Sequence, residues 1–303
     1  MHLARSLIVV AVALFVFAFA PSARADAFYV TFTNAAGAST PRMLGAAISI
    51  TAPAGTPATG KGSIEIDGWL GSATMLTSNT KLSATVEYTS APNGGVSTIA
   101  KFSDVSVQTW TGTFDKGSVT EKVDFYFRAQ NISAGPAQPG AHVSSALNIA
   151  RVGATTVGLA PSHIDDAYFS APGIPAEIGS GAHAGQTKLT SFKLIILWTS
   201  ATNNGPLVAS IGYATLGKST GAATQAFSNA EGNHTQLSMA TITFVQKGIV
   251  DTTRFTMQFP NVGVASNAVN GQTEKVLLGP AKKLKLSDAT TSATLEITGT
   301  GER

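Results

Sequence analysis

The chain has 303 residues, no cysteine, 12% charged residues and a formal net charge of +3. Without cysteine, disulfide stapling, thiolate metal sites and cysteine nucleophiles are excluded, so burial must supply the stability. So little charge among many small neutral residues suits an all-β protein with short turns, and no basic stripe marks a nucleic-acid partner.

Residues 1–25 read as a signal peptide. A basic start through Arg5 leads into the apolar run Leu7 to Ala20, and small residues at Ala23 and Ala25 precede Asp26. The run is short for a span of about 20 residues, so no stable membrane insertion is expected after cleavage. The expected destination is periplasmic or extracellular. Cleavage removes Arg5 and Arg24 and lowers the net charge to about +1.

The remaining chain is a succession of short alternating segments. Asp26 to Thr33, Ala46 to Ile50, Ser63 to Leu70 and Lys81 to Thr89 predict strands, separated by loops rich in Pro, Gly and Thr. Ile99 to Trp110 predicts a strand, and Gly112 to Ser118 a connection. In Lys122 to Arg128, Val123, Phe125 and Phe127 face inward, with Asp124, Tyr126 and Arg128 outward. The run from Ser133 to Gly140 is the best linker, and Ser144 to Gly158 holds further strand-like residues.

After the short strand Ala167 to Ser170 comes a long loop, Gly173 to Gly185, and then the near-continuous apolar strand Phe192 to Trp198. Ser219 to Gly232 is the one good helix, with Ser219 or Thr220 as its cap and Ala222, Ala223, Ala226, Phe227 and Ala230 at 3–4 spacing. Ala240 to Gln246 and Phe255 to Phe259 follow as strands, Pro260 marks an edge or bulge, and Leu284 to Leu286 and Thr294 to Ile297 close the chain.

One signature occurs twice. Phe102-Ser103-Asp104-Val105-Ser106-Val107 precedes Thr120-Glu121-Lys122-Val123, and Phe259-Pro260-Asn261-Val262-Gly263-Val264 precedes Thr273-Glu274-Lys275-Val276. The spacing between copies is domain-sized. It predicts two tandem β-barrel or sandwich domains, all-β and mainly antiparallel, with one short helix in the second. The expected division is 26–135 for the first domain, 136–163 for the linker and 164–303 for the second domain.

No catalytic, cofactor-binding or metal-binding residue is assigned, and no cofactor is expected. His163-Ile164-Asp165-Asp166 offers too few ligands for a metal and reads as a polar turn. His183 and His234 lie in Gly- and Ala-rich loops without a nucleophile motif. Glu121 and Lys122, like Glu274 and Lys275, point to opposite faces of a strand and cannot act together. They read as a charged start to a strand that blunts edge pairing. Gly60-Lys61-Gly62 and Gly217-Lys218-Ser219 lack the spacing of a phosphate loop. Asn131-Ile132-Ser133 and Asn233-His234-Thr235 match the N-glycosylation pattern. Trp69, Trp110 and Trp198 would make a sugar-stacking platform if exposed, but core packing is the commoner fate of such residues. Lys282-Lys283-Leu284-Lys285 reads as the solvated side of a late strand.

The order of elements resembles the Hcp family, the tube proteins of type VI secretion systems. The resemblance rests on Asp26-Ala27-Phe28-Tyr29-Val30, on Thr187 to Trp198, on Tyr213 to Lys218 with the helix through Phe227, Ala230 and Gly232, and on Ile242 to Lys247. The repeated Asp/Asn-Val-x-Val and Glu-Lys-Val, with Val123, Phe125 and Phe127, completes it. The first half has no counterpart of the helix, and Lys218-Ser219-Thr220-Gly221 replaces the family's own residues before it. The resemblance implies β-barrels with a helix alongside, assembled into rings. The function expected is that of an exported, non-enzymatic structural or interaction protein acting by ring-like homo-oligomerisation or by contact with a protein partner. The alternative is a secreted carbohydrate- or surface-binding β-sandwich.

Overall fold

The computed structural model describes residues 27–51, 60–67, 70, 72, 82–89, 96–134, 148–149, 164–200, 207–289 and 292–299. The leader, Trp69, His163 and nearly all of the 136–163 linker lie outside them. Among the described residues the fold is all-β and antiparallel, with one helix.

The first half supplies β1 (Ala27–Thr33), β2 (Met43–Thr51), β3 (Gly60–Asp67), β4 (Leu82–Thr89), β5 (Val96–Asp115) and β6 (Ser118–Phe127). These pair in the order β1-β2-β3-β6-β5-β4 and back to β1, a closed barrel of six antiparallel strands. The alternation that predicts β6 is obeyed: Val119, Glu121, Val123, Phe125 and Phe127 point inward. Gly62 is required where it stands, because a Cβ there would lie 2.3 Å from the Phe125 ring.

The second half supplies β9 (Asp166–Ser170), β10 (Thr187–Leu189), β11 (Ser191–Ser200), β13 (Ala214–Ser219), β14 (Gln236–Gln246), β15 (Thr252–Asn270) and β16 (Thr273–Leu278). With β10 running into β11 through Thr190, the pairing order is β9-β10/β11-β13-β16-β15-β14 and back to β9. This is the same connectivity as in the first ring. The remaining strands extend the rings. β7 (Ala129–Ala134) lies on β5, β8 (Asn148–Ile149) on β2 and β12 (Leu207–Ile211) on β11, while β17 (Lys283–Asp288) joins β15 and carries β18 (Ala293–Thr298).

Helix α1 (Ala222–Gly232) buries Ala223, Phe227 and Ala230, and Phe227 meets Phe169 with ring centroids 5.4 Å apart. Its start is later than expected. Ser219 belongs to β13, the cap position is Gly221, and the Gly221 N–H donates to Thr224 Oγ1 at 2.9 Å. A Cβ at 221 would lie 2.6 Å from Glu177 Oε1, so a larger residue there would move the Glu177 carboxylate.

The repeated signature is a bend in a long strand. In β5 the inward residues are Ala100 and Phe102, then Val105 and Val107; in β15 they are Phe255, Met257 and Phe259, then Val262 and Val264. Each inward series slips by one residue at a left-handed position, Asp104 at φ 50° and Asn261 at φ 49°. Asp and Asn tolerate this conformation better than other side chains. A second irregularity follows three residues on in each copy, between Val107 and Thr109 and between Val264 and Ser266. The bends let one strand serve two sheets. β5 leaves β7 after Ser103 and takes up β6 at Ser106; β15 leaves β17 after Gln258 and takes up β16 at Val264.

Residues Gly112 to Asp115, expected to be a connection, are therefore strand. The turn is reduced to Lys116 and Gly117, both with positive φ, as a twisted two-residue hairpin requires. Asn261→Val is expected to cost about 2 kcal/mol in chemical denaturation and Asp104→Val the same, because a β-branched residue resists the left-handed region, while Asn261→Gly stays within about 0.5 kcal/mol of wild type.

Candidate functional site

Three polar or edge features stand out from the apolar core. The first is the glutamate of each Thr-Glu-Lys-Val. Both glutamates are buried, Glu121 fully and Glu274 at 2% exposure, while Lys122 is half-buried and Lys275 exposed. The opposite facing of Glu and Lys holds, but the edge-blunting role does not. β6 lies between β3 and β5, and β16 between β13 and β15, so neither is an edge.

A carboxylate inside a barrel needs donors. Glu121 Oε1 accepts from the Trp110 indole N–H and from Ser72 Oγ. Glu274 Oε2 accepts from Lys218 Nζ at 2.7 Å and from Thr224 Oγ1 at 2.6 Å. Lys218 faces Glu274 across β13 and β16, and Ile66 faces Glu121 across β3 and β6. The two rings thus solve one problem differently, with indole and hydroxyl in the first and ammonium and helix hydroxyl in the second. Lys218 also donates to Glu177 Oε1 at 2.7 Å and to the Ser219 carbonyl at 2.6 Å, so all three of its N–H groups are used. This one side chain ties β13, β16 and the β9–β10 loop together, and Thr224 adds the helix. Lys218 belongs to the Gly-Lys-Ser triplet that sequence spacing set aside as a phosphate loop, and its partners show it to be structural.

The second feature clamps the same loop from its other side. Asp166 Oδ1 pairs with Lys188 at 2.7 Å, and Oδ2 pairs with Lys247 at 2.8 Å and accepts from the Tyr168 hydroxyl at 3.0 Å. Burial pushes the Asp166 carboxyl upward, but the two ammoniums and the phenol outweigh it and hold it below its ordinary value. Burial and the adjacent Asp166 carboxylate push the Tyr168 phenol up. Lys247 is raised by its bond to Asp166. The His183 ring stacks on Tyr168 at 3.9 Å between centroids and meets Asp251 Oδ2 through Nε2 at 3.0 Å. Asp165 accepts from the Lys247 backbone N–H at 2.8 Å. The two aspartates of the His-Ile-Asp-Asp run are thus occupied by lysines and backbone. Among the described residues no three His, Asp or Glu side chains converge as metal ligands.

The third feature is a seam. Thr109 to Asp115 of β5 pairs antiparallel with Leu197 to Ser191 of β11, on the edge of β5 opposite β6. The hairpin tip is fastened as well, with Lys116 N–H donating to the Thr190 carbonyl at 3.0 Å. Phe114, from the first ring's longest strand, sits edge-on against Phe244 of the second at 6.2 Å. Core packing, the commoner fate, is what the described tryptophans show. Trp110 and Trp198 are buried at 0% and 3% exposure. His234, at φ 53°, follows the helix C-cap Asn233.

No family model matches the chain, and no curated protein does. Hcp proteins are among the solved structures that it is similar to. They include Hcp1 from E. coli EAEC 042 (12% identity, TM-score 0.38, 44% of this chain and 96% of that one) and the secreted protein Hcp3 from Pseudomonas aeruginosa (11%, 0.38, 44% and 99%). Hcp1 from Salmonella typhimurium matches at 14% identity and TM-score 0.35, over 43% of this chain and 90% of that one. Each comparison covers nearly a whole Hcp subunit and less than half of this chain.

Two predictions follow from these geometries. Glu274→Leu leaves the buried Lys218 ammonium with Glu177 alone and is expected to cost about 3 kcal/mol in urea unfolding, whereas Lys218→Ile/Glu274→Leu removes both fully buried charges, leaves the partly exposed Glu177 to water and costs about 1 kcal/mol. Asp166→Asn is expected to cost about 1 kcal/mol at pH 7. Because the folded carboxyl is held low, that difference is present above the unfolded value of about 3.9 and disappears as pH falls through the lower folded value; melting curves of both proteins across acidic pH check it.

Proposed function

We propose that this is an exported structural protein that works by contact between barrels and self-associates through strand edges. The β5–β11 seam is the observation that carries the reading. It joins unlike surfaces, the long-strand edge of one ring and the second-strand edge of the other, and a contact between unlike surfaces can repeat until it closes. On this reading residues 26–135 and 164–303 are two copies of one barrel, 136–163 links them, and residues 1–25 direct export. The two-copy division draws support from the shared connectivity and from the paired bends at Asp104 and Asn261.

The matching long-strand edge of the second ring is β15 from Ser266 to Asn270. There the Asn267 N–H turns away from β16 and donates to Glu231 of α1 at 3.1 Å, and Ala268, Val269 and Asn270 are exposed. The matching second-strand edge of the first ring is β2, on the side opposite β3, where β8 pairs with Ile48 and Ser49 and would have to be displaced. Repetition of the seam between chains would make three chains imitate a six-membered ring. A non-enzymatic role fits the occupied state of the polar clusters, in which Lys218, Glu274, Asp166 and His183 all bind other parts of the chain.

Light scattering on the purified protein tests this. A three-chain particle that shrinks on Val269→Lys is expected. A monomer at every concentration would overturn the ring. Sugar stacking on Trp110 or Trp198 has lost its basis, since both side chains are inside.

A further inference from the structure

Where β15 exchanges β17 for β16, the two partner strands diverge, and a cleft of about 810 Å³ opens on the outside of the second ring. Its volume is that of a small-molecule site. The first ring is built differently at the matching place. There a single residue, Arg128, joins β6 to β7, whereas β16 and β17 are joined by Gly279 to Lys282, and β18 adds a further wall.

Lys282, Lys283 and Lys285 line the cleft together with Gln236, Gln258 and Asn261. The register sets them in rows. Gln258, Lys285 and Glu296 stand side by side across β15, β17 and β18, and Lys283 lies beside Thr298. Lys283 and Lys285 alternate with buried Leu284 and Leu286, so both project from the barrel. None of the three lysines makes an ion pair among the described residues, whereas Lys188, Lys218 and Lys247 all do. Three ammoniums against one carboxylate, Glu296, leave the cleft with a surplus of positive charge.

The strands of the floor are paired over part of their length. β15 has β14 on one side and β17 on the other, and Gln236 faces Gly263. Between Gln258 and Val264 β15 has neither β17 nor β16 beside it, so backbone is open to a peptide as well, and the choice of ligand rests on the side chains. Carboxamides bind hydroxyl groups as both donor and acceptor, and separated ammoniums suit separated carboxylates. We propose that this cleft binds an acidic oligosaccharide, a short run of uronate sugars whose carboxylates meet Lys282, Lys283 and Lys285 and whose hydroxyls meet Gln236, Gln258 and Asn261.

The test is isothermal titration of the full protein with trigalacturonate, with neutral maltotriose and hexaglutamate as comparisons. Trigalacturonate is expected to bind, more weakly as salt rises, and maltotriose not to bind. Lys283→Gln and Lys285→Gln should each weaken binding about tenfold, with unchanged melting because both side chains project from the barrel surface. Gln258→Ala should weaken it without altering the salt dependence, and Lys101→Gln, exposed on the first ring, should change nothing. Absence of trigalacturonate binding, equal binding by Lys283→Gln/Lys285→Gln, or hexaglutamate binding as tightly as the sugar would each overturn the proposal. Self-association of the chain is read separately by light scattering, so failure here leaves the ring reading untouched.

Discussion

Each ring depends on one strand that must change neighbours halfway along. A straight strand of alternating residues keeps one face inward throughout. It could not hold Phe102 and Val105 inside together, nor Phe259 and Val262. The left-handed residue between them moves the alternation by one step, and the ladder moves with it from β7 to β6 or from β17 to β16. Closure of the barrel, the position of the buried glutamate and the opening of the lysine-lined cleft all follow from where that step falls.

The buried glutamates show how one backbone position can be kept while its chemistry is replaced. Trp110 and Asn267 occupy matching places, opposite Val123 and Val276. Trp110 turns its indole to Glu121. Asn267 instead bonds the helix through Thr224 O and Ser228 Oγ, and Thr224 supplies the hydroxyl that Glu274 needs. The helix therefore does more than cover apolar surface. It completes a polar site that the first ring completes from its own strand.

The sequence made the regular parts legible. Alternation located β1, β3, β4 and β6, the 3–4 spacing located α1, and the fate of Trp110 and Trp198 as core residues was the commoner expectation. The fold class and the outward placing of Lys283 and Lys285 could be read in the same way. Three things could not. Gly112 to Asp115 looked like a turn because Gly, Thr and Asp favour loops locally, whereas the hairpin with Ser118 to Glu121 and a second ladder to residues about 80 positions away make them strand. The burial of Glu121 and Glu274 has no local signal, because their donors come from Ser72, Lys218 and Thr224 on other elements. β7 and β12 are short and weakly alternating, and exist because β5 and β11 offer them an edge.

The seam also carries a kinetic consequence. Thr109 to Asp115 forms its hairpin with β6 early, but the other edge of this stretch stays open until Ser191 to Leu197 has been made. Phe114 waits over the same interval for the ring of Phe244. A partly synthesised chain therefore presents an unpaired edge and an exposed phenylalanine together, the combination that drives premature aggregation. The protein's period of greatest vulnerability is thus the time needed to produce the sequence between its two rings, and lengthening the linker would prolong it.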